Sequence, residues 1–102
     1  MFTKSATILI LNHAQMSLVY QIFGAIDTRV NDYIEAGALT DADVEVIEHV
    51  LAIGEQGELW QADAAGRAIL RKVVDAEDWP EVCGWDETET NAWRSLREAI
   101  ID

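Results

Sequence analysis

Between Ser5 and Ile26 the chain runs 22 residues without an Asp, Glu, Lys or Arg. A stretch of that length has to be covered by lipid, by the chain's own core or by another chain. Asn12, His13, Gln15 and Gln21 carry polar groups through its middle, and no positive cluster flanks it, which argues against a membrane span. The apolar run from Ala6 to Leu11 is short for an export signal, and no small-residue cleavage site follows it. With one cysteine, Cys83, and no export signal, the expected compartment is the cytoplasm.

A buried helix fits the stretch better. Leu18, Val19, Ile22, Phe23, Ile26, Val30, Tyr33 and Ile34 recur at steps of three and four, an apolar stripe at the helical period. Gly37 is placed to end it. The start has two readings. Ala6 to Leu11 forms either the first turns of one long helix, capped by Thr3 or Ser5, or a short strand, with Asn12 then capping the helix and Gln15 completing a capping box. No partner strand is evident elsewhere in the chain, so helix is preferred. Ile8, Leu9, Ile10 and Leu11 would point in every direction around such a helix, more than one small bundle covers. A homodimer is therefore expected, with Ile8, Ile10, Leu11, Leu18 and Ile22 in the contact.

Three further helices follow. Thr40 with Asp43 has the form of a capping box, and Val44, Ile47, Val50 and Leu51 supply a buried face ending at Ile53, so a helix is expected over 41–53. Leu59, Trp60, Ala62, Ala65, Ile69, Leu70, Val73 and Val74 give a stripe over 58–74, with Gly66 inside it as a point of close approach. Residues 75–87 read as a loop, with or without one helical turn, and not as continuous helix, because Trp79 precedes Pro80 and a residue before proline avoids the α region. Asp86 with Glu89, or Thr88, caps a last helix with Ala92, Trp93, Leu96, Ala99 and Ile100 on its apolar face. The expected fold is all-α, one domain over 1–102, a small bundle of about four helices with or without a short N-terminal strand.

Motifs for chemistry are missing. His13 and His49 share no helical turn with a second His; His49 and Glu45 share a face, yet nothing completes a metal site. His13 is expected as an interior or interface residue. Cys83 has no basic neighbour to lower its pKa and is expected as a half-buried packing residue. Asp41, Asp43, Glu45 and Glu48 lack the glycine and the closing Glu of a calcium loop. No cofactor, metal or catalytic residue is expected, and the chain is not expected to be an enzyme; a site dispersed along the chain is the remaining enzymatic reading.

Charge is the informative feature. Nineteen acids face seven bases among 102 residues, a net charge of −12. No base lies between Arg29 and Arg67 or between Lys72 and Arg94, and these two blocks hold sixteen of the nineteen carboxylates. Partners at four-residue spacing are missing, so pairing within helices does not explain them. Direct nucleic-acid binding is disfavoured, since phosphates require Lys and Arg. One reading is solubility alone. The sharper reading is a face that meets a basic protein, and the commonest large basic surfaces are those that bind nucleic acids. In size and charge, and in no residue motif, the chain is similar to small acidic inhibitors: phage anti-defence proteins such as anti-CRISPRs, restriction inhibitors, antitoxins and nuclease immunity proteins. An inhibitor or adaptor of nucleic-acid-mimic type is the expected function, with Asp41, Asp43, Glu45, Glu48, Glu77, Asp78 and Glu81 as binding carboxylates. Trp79 or Trp85 is expected as the apolar anchor, one packed beneath the acidic loop and the other partly exposed. A homo-oligomeric structural or assembly protein is the alternative.

Overall fold

The computed structural model describes residues 8–101. It is a mostly helical bundle with a two-stranded antiparallel sheet at one side. In chain order the elements are β1 (Leu9–Ile10), α1 (His13–Asp27), α2 (Val30–Glu35), α3 (Asp41–Glu55), β2 (Gln61–Ala62), α4 (Ala64–Val74), α5 (Trp79–Val82) and α6 (Glu87–Ile101). Thr3, Ser5, Ala6 and Thr7, invoked above for the start of the first helix, lie outside the described residues.

Within the N-terminal run, Leu9–Ile10 forms a short strand. Leu9 pairs with Ala62 and Ile10 with Gln61. The partner was hidden because Gln61-Ala62 lacks β-branched or aromatic side chains, the usual local signal of a strand. Asn12 then starts α1 as a reciprocal cap: its Oδ1 accepts from the Gln15 N–H at 2.8 Å, and Gln15 Oε1 accepts from the Asn12 N–H at 2.9 Å. Two orphan amides of the first turn are satisfied without any charge.

The long stripe expected through Ile34 is divided in two. The chain leaves helical geometry at Arg29, with φ −131° and ψ 33°, and the Thr28 hydroxyl donates to the Ala25 carbonyl at 2.7 Å. No glycine or proline marks the break, so periodicity ran through it. Gly37, at φ +76°, follows the end of α2 in the left-handed geometry that glycine adopts without penalty. The expected helix over 58–74 is shorter too. Asp63 Oδ1 accepts from the Gly66 N–H at 2.9 Å and starts α4 at Ala64, leaving Trp60 in the connection before β2.

Leu11, Leu18, Val19, Ile22, Phe23 and Ile26 are buried, and α1 packs on both α3 and α6. This overturns most of the expected self-association surface: Leu11, Leu18 and Ile22 are 0–2% exposed inside the chain's own core. Strand geometry explains the difference, since it sends Leu9 and Leu11 inward and leaves Ile8 and Ile10 outside, 48% and 68% exposed. The aromatic packing closes the core from two sides. Trp60 meets Phe23 at a centroid distance of 6.0 Å, and Trp85 meets Trp93 at 5.8 Å. Gly66 serves close approach, but to the Trp60 indole and not to another helix: a Cβ there would stand 2.5 Å from Trp60 Cζ2.

Candidate functional site

The N-terminus of α3 is fixed by Thr40. Its Oγ1 accepts from the Asp43 N–H at 3.2 Å while Asp43 Oδ2 accepts from the Thr40 N–H at 3.0 Å. From this start, Ile47 and Val50 face the core, and the opposite face presents Asp41, Glu45 and Glu48, all exposed. Glu55, which was not among the expected residues, continues the same stripe past exposed Ala52. At a rise of 1.5 Å per residue the stripe extends about 20 Å. None of its carboxylates forms an ion pair among the described residues.

Asp43 does not belong to that face. Its side chain is 13% exposed and receives the Lys72 ammonium at 2.6 Å, tying α3 to α4. Burial alone opposes its charged form most strongly. The Lys72 hydrogen bond, the Thr40 amide and the Lys72 charge together outweigh it, and the carboxyl is held below its ordinary value. The other expected carboxylates form a separate group. Glu77 pairs with Arg29 at 3.5 Å, and Asp78 and Glu81 are exposed beside α5. α3 packs on α1 whereas α5 packs on α6, so the two groups stand on different elements.

The expected tryptophan anchor is overturned. Trp79 is 1% exposed, and its Nε1 donates to the Val73 carbonyl at 2.7 Å. Trp85 is 9% exposed, and its Nε1 donates to Gln21 Oε1 at 2.8 Å. Both indoles satisfy their one donor internally while filling the core, which is how a small bundle uses a large amphipathic ring. The loop that holds them is acidic outside and aromatic within.

Three arginines are engaged on or beside α6. Arg97 meets Asp75 at 2.8 Å, Arg71 Nε donates to the Ile100 carbonyl at 3.0 Å, and Arg94 donates to Asn91 Oδ1 at 3.4 Å. Arg29 and Lys72 line a cleft with Tyr33 and Glu77. Burial, then the Glu77 charge, pushes the Tyr33 hydroxyl up. Cys83 is half-buried against the core as expected, and burial raises its thiol pKa, with Glu89 adding to the effect. That is the opposite of an activated nucleophile.

His13 is exposed rather than interior, on the rim of a cavity of about 250 Å³ that also takes in Ser17, Tyr20 and Glu58. His49, also exposed, lines a second, larger groove of about 470 Å³ with Val46, Ile53, Leu59 and Trp60. The sequence carried a signal for that groove. Val46 and Ile53 stand seven residues apart on α3, off the Ile47 and Val50 stripe, and so mark a second apolar edge. No cluster of three or more His, Cys, Asp or Glu fit to hold a metal occurs among the described residues. No helix among them is long and apolar enough to cross a membrane.

The chain is thus a small, mostly helical bundle with an acidic face. Comparison with protein-family models, curated proteins and solved structures found no match.

Proposed function

We propose that this protein is a non-catalytic inhibitor or adaptor that docks through the outward face of α3 onto a basic protein surface, of the kind that otherwise holds nucleic acid. The observation that carries the reading is the stripe Asp41, Glu45, Glu48 and Glu55, exposed on one face of a helix that contains no Lys or Arg. A rigid helix holds such carboxylates at fixed spacing, so binding orders little, and a field of one sign speeds the encounter with its opposite. Asp78 and Glu81 form a second, smaller acidic surface. Glu77 and Asp43 are committed to internal pairs, and neither tryptophan contributes an anchor.

The test is charge reversal. Asp41→Lys, Glu45→Lys and Glu48→Lys together should slow association with the captured basic partner and flatten its salt dependence, with the helical spectrum unchanged. Exposed helix charges each contribute only a few tenths of a kcal/mol to folding, about the scale of a surface ion pair. Capture of the same partner at the same affinity by the triple variant, over a salt series, sinks the reading and leaves the charge to solubility.

A second reading is favoured by exposed Ile10 on β1 and exposed Ile8 just before it, on a strand whose described pairing is with β2 alone. It is a homodimer joined along β1, an assembly role independent of the acidic face.

A further inference from the structure

We infer that the groove on the flank of α3 receives an apolar side chain of the basic partner, bracketed by that partner's Lys or Arg residues; this rests on the proposed docking through α3. Rim charges set the rate and salt dependence of an encounter, and a buried apolar contact sets how long it lasts. With Trp79 and Trp85 closed inside the core, no aromatic side chain protrudes near the acids among the described residues. A cavity is the complementary way to supply the apolar half of a contact.

The groove has the required composition. Its floor is Val46, Ile53, Leu59 and the edge of Trp60, whose indole packs directly on Gly66. Leu59 is 38% exposed there although it is a large apolar side chain. Its lip carries Glu58 and Asp63, and no Lys or Arg lines it among the described residues. Helical geometry places it against the acid stripe. Val46, His49 and Ile53 occupy the sector of α3 between the buried face and the face of Glu45 and Glu48. An incoming segment that seats an apolar side chain over Ile53 and Leu59 therefore has carboxylates on both sides, from the α3 stripe and from Asp63. Charge complementarity selects a segment of alternating cationic and apolar character, and an acidic or uncharged apolar segment is repelled or left unsteered.

Two synthetic helical peptides of equal positive charge test this, one with leucines along one face between the lysines, the other with serine at those positions. Both should bind the native protein at low salt, and the leucine peptide should bind about tenfold tighter or more, the scale of burying one such side chain. Its amide and indole NMR shifts should centre on Val46, Ile53, Leu59 and Trp60. Ala65→Phe, at an exposed position lining the groove, should plug it and abolish the leucine advantage while leaving serine-peptide affinity unchanged. Leu59→Ser should do the same by removing the floor, and serves if the first variant loses its helical spectrum. Equal binding of the two peptides, or a leucine advantage that survives both variants, overturns the groove and leaves the acidic face standing. Binding of neither peptide overturns both.

Discussion

The three helical glycines fall into two kinds, and the difference lies in what a methyl group would meet. At Gly24, inside α1, an added Cβ has nothing within 4 Å. At Gly66 it runs into the Trp60 indole, and at Gly54 into the Tyr20 ring. Alanine lowers the cost of ordering a helix by about 1 kcal/mol relative to glycine. Gly24→Ala should therefore stabilise the fold by about that amount. Gly66→Ala should instead destabilise it by about 1–3 kcal/mol, because Trp60 is 7% exposed and packed against Phe23, with little freedom to yield. Urea unfolding of the two variants reads both signs; a stabilised Gly66→Ala protein would show that the indole moves freely.

At the scale of elements, reciprocal caps start three of the helices: Asn12 with Gln15, Thr40 with Asp43, and Asp86 with Glu89, whose amides donate to each other's side-chain oxygens at 2.8 and 3.3 Å. Asp43 alone adds a tie between helices, to Lys72 on α4. Asp43→Ala should cost about 1–2 kcal/mol, the scale of a lost cap, and the exposed neighbour Asp41→Ala much less. The pH dependence has a definite sign. A carboxyl whose pKa is lowered on folding stabilises fully above its unfolded value, here the ordinary 3.8, and loses that contribution as pH falls through the lower folded value. The stability gap between the native protein and Asp43→Ala should hold from neutral pH to about 4 and shrink below it. A gap that stays constant in acid would mean that the charge of Asp43 adds nothing.

Over the whole molecule, a net charge of −12 makes contact between copies unfavourable except where charge is missing. Exposed Ile10 on β1, with exposed Ile8 just before it, is such a place, and a strand edge with apolar side chains invites a further strand. The two proposed interactions then respond to salt in opposite directions. Docking of the α3 face weakens as ions screen it, and the β1 dimer tightens as repulsion between copies is relieved. Sedimentation equilibrium across a salt series should show dimer rising with ionic strength, and Ile10→Glu should remain monomeric throughout. A native protein that is monomeric at every salt concentration removes the dimer. The triple reversal on α3 moves the net charge from −12 to −6, two units for each residue, so it should strengthen the dimer while it slows docking.

The amino-acid sequence by itself determined the helical class, the caps at Thr40 and Asp86, the core role of Ile47, Val50 and Trp93, and an acidic surface without local counter-charge. These are local properties: hydrogen bonds over three residues, a period of 3.6, and a count of charges. The tertiary structure decided everything that depends on contacts between distant segments. It gave Leu9-Ile10 a partner in Gln61-Ala62, turned Leu11, Leu18 and Ile22 inward, and broke the first helical stripe at Arg29 without any local punctuation. It drew Asp43 out of the acidic face toward Lys72, 29 residues away. It also closed Trp79 and Trp85 into the core, because each indole found a hydrogen-bond acceptor there, on Val73 and on Gln21. Periodicity records which side of an element is apolar; what that side meets is settled only when the elements compete for the same core.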